Sequence, residues 1–444
     1  MKKRWLPQCR CRALHWLVVP LWVACLSTSV QAKPQTSIKF QLDRAEQADK
    51  AYRNYWIPYA FSTESTGLNA GLGYVRAGFL QPQATAGVTV FGGDSKALLG
   101  GLWNYQLGGS SRWYVNTLFM TARFPELKAY AIPADIPIPH GAVRPGSHES
   151  SDEAFIATEG ENSWLDFQVD YVFPLGAARD SGWVHYQTRD GLLVGESTRT
   201  GSWNPLASGV TVATAHYFTR SQRYESNGLT LDAATRGLEL GLLYDNTDFP
   251  VNPSKGSSQY LAYTFDPGTH QHDSWDFWEL EASQHFAMGS NRWARHQALS
   301  LNVWLGYSPS WQTVNTDRGT TVRNNPLFNQ GATLGGFFRL RGYDQNRYHD
   351  KASAYLAAEF RQTLRWNPLK NVGWLDRFAI DWVQLVYFAE AGRVAPDFDN
   401  RLLESPKADV GAGLRVMLSG LVVRVDGAAS DEGGFFWLMV SHPY

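Results

Sequence analysis

The residues best suited to chemistry in this sequence gather in one glycine-rich, aromatic segment. Leu334-Gly335-Gly336-Phe337-Phe338-Arg339-Leu340-Arg341-Gly342-Tyr343 carries two arginines, and Asp344, Gln345, Asn346 and Arg347 follow it. A guanidinium held away from bulk water needs a carboxylate of fitting geometry, since an unpaired buried charge costs on the order of several kcal/mol. Its planar fork suits bidentate pairing. Spacing alone leaves two readings of Arg341 open: a solvated loop side chain, with Glu359 one acid among many, or the cation of a buried ion pair. Both are binding chemistry rather than catalysis.

The remaining candidates for reactivity lead elsewhere. His270-Gln271-His272-Asp273 holds ligand-type residues in a loop, where a histidine pair is ordinarily just solvated. Asp245 and Asp248 lack the ligand-rich spacing of a calcium loop. His185, His216 and His285 fall on three different strands, whereas a phospholipase-type barrel needs His and Ser adjacent on one outer face. Gly-x-Ser-x-Gly, His-Glu-x-x-His, a P-loop and a dinucleotide fingerprint are all missing from the sequence. The reading is therefore of a protein that is not an enzyme, with no cofactor and no metal.

Cysteine gives no chemistry either. Cys9, Cys11 and Cys25 all lie in the first 32 residues, which also hold five basic residues, no acid, the apolar run from Ala13 to Leu26 and the small-residue end Val30-Gln31-Ala32. This fits a signal peptide over 1–32 for export through the Sec pathway. A lipid-modified Cys25 fits less well, because Trp22 stands where a Leu-like residue is wanted. The chain after Ala32 would have no disulfide and no thiolate site. It carries 35 basic and 41 acidic side chains, a balance that gives no support to a nucleic-acid partner.

The elements that must position the arginine segment read as strands. No apolar run of 18 residues follows the signal, so no transmembrane helix is expected. From about residue 66 onward the sequence alternates instead, as in Leu165-Asp166-Phe167-Gln168-Val169-Asp170-Tyr171-Val172-Phe173. Successive side chains of a strand point to opposite faces, so one face wants hydrocarbon and the other can meet water. Leu238 to Tyr244, Leu299 to Leu305, Leu356 to Leu364 and Leu421 to Val425 repeat the pattern. A soluble sandwich also alternates, but its exposed face is richer in Lys and Glu. With 18% charged and 14% aromatic residues, the aromatics near strand ends, the pattern favours an all-β, antiparallel transmembrane barrel.

The runs predict sixteen strands: 66–79, 83–92, 96–107, 111–124, 163–174, 182–195, 209–222, 234–247, 256–267, 274–287, 295–308, 352–366, 379–391, 408–418, 421–429 and 434–444. Residues 33–62 are then a short periplasmic segment, polar and then aromatic, and 63–444 the barrel. With a periplasmic start, strand parity puts 309–351 and 392–407 outside and the Ser419-Gly420 link inside. Residues 125–162, rich in Pro and Gly, fall on the periplasmic side, where they are far too long for a turn.

At Arg341-Gly342-Tyr343 the sequence resembles the BamA/TamA family of outer-membrane assembly barrels, also called the bacterial surface antigen family. In that family an Arg-Gly-aromatic motif lies on the sixth extracellular loop, which folds back into the lumen. Eleven predicted strands precede the motif here and five follow, as in the family's sixteen-stranded barrel. The resemblance maps the partners of the arginine onto Glu359 and Glu390, although Asp is more usual at the second position. Asp426 is a third acid within reach. Tyr244-Asp245-Asn246-Thr247-Asp248 with Asn252-Pro253-Ser254-Lys255-Gly256 is similar to the family's mid-barrel strand-turn-strand signature. Phe436 and the terminal Tyr444 resemble the signal by which such barrels are recognised for insertion.

The resemblance implies an outer-membrane location in a Gram-negative envelope and a role in protein insertion, translocation or envelope biogenesis. The partners it implies are lipopolysaccharide and phospholipid, the barrel assembly machinery during the chain's own insertion, and a client or periplasmic protein. Family members usually carry polypeptide-transport-associated (POTRA) domains ahead of the barrel, and the roughly thirty residues between Ala32 and the first predicted strand hold none. Two expectations follow: an assembly barrel that works at a weak seam between first and last strands, or a plugged channel or structural barrel with no insertase activity.

Overall fold

The computed structural model describes residues 39–44, 53–63, 67–131, 136–195, 202–226, 229–270, 272–369, 380–418 and 421–444. The expected export signal and the Ser419-Gly420 link lie outside these. In chain order the strands are β1 (Phe40–Arg44), β2 (Arg53–Thr63), β3 (Gly67–Ala77), β4 (Thr85–Gly93), β5 (Lys96–Gln106), β6 (Trp113–Ala129), β7 (Ile156–Val172), β8 (Val184–Arg189) and β9 (Leu192–Leu193). They continue as β10 (Val210–Ser226), β11 (Leu229–Asp245), β12 (Gly256–Asp266), β13 (Trp275–Gly289), β14 (Ala294–Tyr307), β15 (Gln312–Thr316), β16 (Gly319–Arg323), β17 (Thr333–Leu334) and β18 (Tyr348–His349). The last five are β19 (Ala352–Leu364), β20 (Ile380–Ala395), β21 (Lys407–Leu418), β22 (Leu421–Ser430) and β23 (Gly433–Val440).

Sixteen of these form one antiparallel sheet, ordered β2 to β7, β10 to β14 and β19 to β23. The alternation in sequence becomes two faces. Leu165, Phe167, Leu240, Leu242, Leu280, Val303 and Leu356 are exposed, while Trp164, Gln168, Asp170, Glu239, Glu281, Asn302 and Glu359 are buried. Apolar outside and polar inside is the inverse of a soluble core and matches a lipid-facing barrel.

The two ends of the sheet meet without a ladder between them. Among the described residues β2 pairs only with β3 and β23 only with β22. Ile57 and Tyr55 of β2 instead share an apolar cluster with Val416, Leu418, Val423 and Leu438. Ile57 and Tyr55 stand on the same side of β2 as the inward-facing Tyr59, whereas those four alternate with the inward-facing Arg415, Met417, Arg424 and Met439. The inner side of the first strand thus laps over the outer side of the last ones.

The structure corrects the strand assignment in two places that offset one another. Arg53–Thr63 is the first barrel strand, so the barrel starts ten residues before the expected 63. Its pattern was hidden by aromatics on both faces and by Pro58, which an edge strand tolerates because no ladder needs its missing donor. The run 182–195 is not in the barrel. Val184–Arg189 pairs parallel with Phe40–Arg44 and antiparallel with Leu192–Leu193 in a separate three-stranded sheet. The total stays at sixteen, but the parity of everything between the two errors reverses. Residues 130–131 and 136–155 therefore lie at the same end as 308–351 and 396–406, here the loop end, and the oversized periplasmic turn disappears. Residues 173–195, with β8 and β9, and 202–209 lie at the opposite, turn end.

The small sheet seats against the inner wall. Lys39 reaches the buried Asp170 of β7 at 2.7 Å. Phe40, Val184, Leu192 and Leu193 pack against Phe249, Trp382, Met417 and Val422, and the Trp382 indole donates to the Gly191 carbonyl at 3.0 Å.

Candidate functional site

The segment between β17 and β18 returns over the inner face of β19 to β23. Alternation places Tyr355, Glu359 and Arg361 of β19, Phe388 and Glu390 of β20, Asp409 and Arg415 of β21, and Arg424 and Asp426 of β22 on that face, all buried. The loop delivers Arg341 to them through a tight backbone path in which Gly335 N–H donates to the Arg339 carbonyl and Tyr343 N–H to the Leu340 carbonyl. Leu340 adopts φ of 52°, a left-handed conformation that a branched side chain takes only under surrounding constraint.

Arg341 is fully buried and meets all three acids proposed for it. Nε donates to Glu390 Oε1 at 3.0 Å, Nη1 to Asp426 Oδ2 at 2.7 Å, and Nη2 lies 2.9 Å from Glu359 Oε1. Its backbone N–H adds a 2.6 Å bond to Glu390 Oε2. The guanidinium carbon stands 3.4 Å from the centroid of the Phe388 ring, so one face of the planar cation is covered by an aromatic. The longer Glu390 side chain reaches both the backbone and the side chain of Arg341.

Gly342 is required by close approach. A Cβ there would stand 2.5 Å from Asp409 Cβ and 3.1 Å from the Ala429 carbonyl carbon, and its N–H donates to Asp409 at 2.8 Å. Tyr343 donates its hydroxyl to Asp431 at 2.6 Å. That bond, and the neighbouring Lys407, hold the Asp431 carboxyl below its ordinary pKa.

Sequence reasoning missed the cations that accompany this lock. Arg415 and Arg361 pair with Glu359 at 2.7 and 2.8 Å, and Arg424 pairs with Asp426. Trp437 Nε1 donates to the Arg341 carbonyl at 2.7 Å, tying the motif to β23. Another fully buried arginine, Arg347, pairs with Glu432 at 2.8 Å and donates to the Ser150 hydroxyl at 2.8 Å. It thereby joins the motif loop, residues 130–155 and the β22–β23 hairpin. Lys128 and Tyr130 both contact Asp344, at 2.9 and 3.1 Å. The two arginines of the sequence motif could have signalled a network, but the spacing of single residues does not say which inner faces meet across a barrel.

The other sequence candidates serve local structure. Asp248 accepts from the backbone of Phe249, Ser254 and Lys255, and Asp245 accepts from Thr247, so the mid-barrel signature is a carboxylate-bound turn. His216 bonds Asp166 at 2.7 Å and His285 bonds Ser300 at 2.8 Å, both on the inner face. His185 lies in β8, and His272 bonds Asp266 at 2.9 Å. Among the described residues no group of three or more His, Cys, Asp or Glu side chains could hold a metal. Phe436 is exposed on the outer face. Tyr444 instead turns into the interior beside Trp304, Leu340 and Tyr355, with Arg361 over its ring. His442, before it, contacts Arg415 at 2.5 Å.

A family model, the Omp85 superfamily domain, matches residues 162–430, more than half of the chain, including Arg341 and its acids Glu359, Glu390 and Asp426. The chain belongs to the Omp85 superfamily. Omp85 barrels are outer-membrane assembly and translocation proteins rather than enzymes. No curated protein matches the sequence of this Omp85 barrel. Among solved structures it is similar to BamA from Haemophilus ducreyi lacking POTRA domains 1–3, at TM-score 0.47 and 12% identity over 88% of this chain and 70% of that one. It is also similar to CdiB from Escherichia coli, at TM-score 0.49 and 10% identity, and to CdiB from Acinetobacter baumannii, at TM-score 0.45 and 9% identity. Each CdiB match covers 88% of this chain and 62% and 60% of the respective CdiB chain, so this chain spans under two thirds of their length.

Proposed function

We propose that this outer-membrane barrel assists insertion or translocation of other polypeptides, working at the overlap of β2 with β21 to β23. The supporting observation is the absence of a ladder there among the described residues, with apolar side chains such as Ile57 and Leu438 in its place. Apolar contact between strands is non-directional and far easier to part than a row of backbone hydrogen bonds in lipid, where each unmet group costs on the order of several kcal/mol. An unpaired edge also offers a template for an incoming strand. The chain's own export by the Sec pathway, its insertion by the barrel assembly machinery, and its contacts with lipopolysaccharide and phospholipid belong to the same proposal, with the loop end outside the cell.

Residues 33–444 contain no cysteine, which makes a crosslinking test clean. Ile57→Cys with Leu438→Cys, oxidised in proteoliposomes, should abolish acceleration of the folding of an added unfolded barrel, and reduction should restore it. Full acceleration by the locked protein rejects the seam.

A second reading, a plugged channel without insertase activity, is favoured by a specific observation. The Arg341 loop occupies one part of the interior, and the β1–β8–β9 sheet packs on the wall near the turn end. A barrel that never accelerates client folding, locked or reduced, yet conducts when these elements are loosened would support it.

A further inference from the structure

At the loop end, residues 138–149, the β15–β16 hairpin and the stretch from Arg393 to Arg401 enclose a cavity of about 360 Å³, room enough for a sugar ring. Arg144, His148, Trp311, Asp350, Arg393 and Arg401 are among its lining residues. None belongs to the Arg341 network.

The three guanidinium groups differ in how well they are satisfied. Arg144 pairs with Asp350 at 2.9 Å, donates to the His349 carbonyl at 2.8 Å and lies over the Trp311 ring. Arg401 is clamped by Asp399 at 2.6 Å. Arg393 donates through Nη1 to the carbonyls of Glu404 and Ser405. Its Nη2 stands 3.5 Å from Glu149, a carboxylate 74% exposed and so largely screened. Its Nε is buried and has no hydrogen-bond partner in the protein.

His148 supplies the complementary group. Its side chain is 9% exposed, and Nε2 lies 3.1 Å from the Ser405 carbonyl. A carbonyl only accepts, so Nε2 carries the hydrogen, and in the neutral ring Nδ1 keeps a lone pair. Burial, and then the Arg393 charge, hold the imidazole below its ordinary pKa and so keep it neutral. Nδ1 is also buried without a partner. One cavity thus combines an unmet cationic donor with an unmet acceptor, each costly as it stands. A molecule bearing an anionic oxygen next to a hydroxyl satisfies both.

We propose that this cavity binds an acidic sugar, whose carboxylate or phosphate accepts from Arg393 Nε and whose hydroxyl donates to His148 Nδ1. Thr313 and Thr320 are on the same lining and add polar character that suits a polyol. In the orientation proposed above the mouth faces the outside of the cell, where saccharides occur free and on surfaces.

Calorimetric titration of the full-length barrel in detergent micelles with glucuronate, glucose 1-phosphate and glucose separates the possibilities. Binding of either acidic probe without binding of glucose is the expected result, and the preference between them identifies the anion. Arg393→Gln removes the charged donor. Ala142→Trp narrows the cavity from an exposed lining position without touching either group, so the fold should be kept and the heat-induced mobility shift unchanged. Each should weaken binding by at least about tenfold, the loss expected for one charge-assisted hydrogen bond. Equal binding of glucose, binding unaffected by either substitution, or no heat with any probe overturns the proposal.

Discussion

Glu359 and Asp426 each have a further arginine to lean on, Arg415 and Arg361 for the first and Arg424 for the second. Among the described residues Glu390 has Arg341 as its ion-pair partner, with the Tyr355 hydroxyl at 2.5 Å. Arg341→Ala should therefore strand Glu390 above all, at a cost of about 3–5 kcal/mol, as for other buried pairs broken on one side. The measurable outcome is a lower temperature for the mobility shift of the folded barrel. Adding Glu390→Gln should recover at least about 1 kcal/mol of that loss, whereas adding Glu359→Gln should not. Arg341→Lys should also be costly, because an ammonium cannot fork toward three acids or lie flat on Phe388. The motif and its acids were legible in sequence because Arg-Gly-Tyr is a local string. Arg361, Arg415, Arg424 and Asp409 were not, since polar residues occupy every second position on all inner faces and nothing local marks the ones that face the loop.

Strands carried most of the legible information, and their errors have physical causes. β7, β11, β14 and β19 alternate cleanly because one side meets lipid and the other polar groups. β2 was lost because Trp56 and Pro58 face outward while Tyr55, Ile57 and Tyr59 face inward, so both faces look apolar. Val184–Arg189 was miscounted because a small sheet resting on an inner wall alternates just as a barrel strand does. The revised parity gives a direct prediction. Val143, exposed at the loop end, and Trp203, exposed at the turn end, can each be replaced by cysteine. A membrane-impermeant maleimide added to intact cells should label the first and spare the second. Labelling of neither would restore the parity read from the sequence, and the reverse pattern would invert the proposed orientation.

Across the whole molecule the interior is divided. Tyr59, Phe91, Leu99, Met120, Phe124 and Trp164 form an apolar cluster under β2 to β7, while the arginine network fills the side under β19 to β23. Two elements pack on the inner wall at different heights, the Arg341 loop and the sheet anchored by Lys39, and on the plugged-channel reading proposed above both block the lumen. Obstructions in series conduct only when both give way. Arg341→Ala and Lys39→Met, the latter removing the 2.7 Å pair with Asp170, should each leave planar-bilayer conductance near the wild-type level. The double variant should conduct well above the sum of the two. Conductance from Arg341→Ala alone would make the loop the sole barrier.

The ties between residues 130–155 and 308–351 also decide which peptide bonds an enzyme in the surroundings can reach. Arg339, Arg341 and Arg347 are at most 2% exposed, and the loop that carries them is held down through Ser150, Tyr130 and the Ile138–Thr320 bridge. Arg318, at the tip of the β15–β16 hairpin, is exposed. Trypsin applied to intact cells should nick at exposed sites such as Arg318 and leave the three buried arginines uncut, the fragments staying together until the barrel is boiled. Within the long 308–351 excursion, the stretch that carries the buried arginines would then resist digestion while the exposed β15–β16 hairpin is cut.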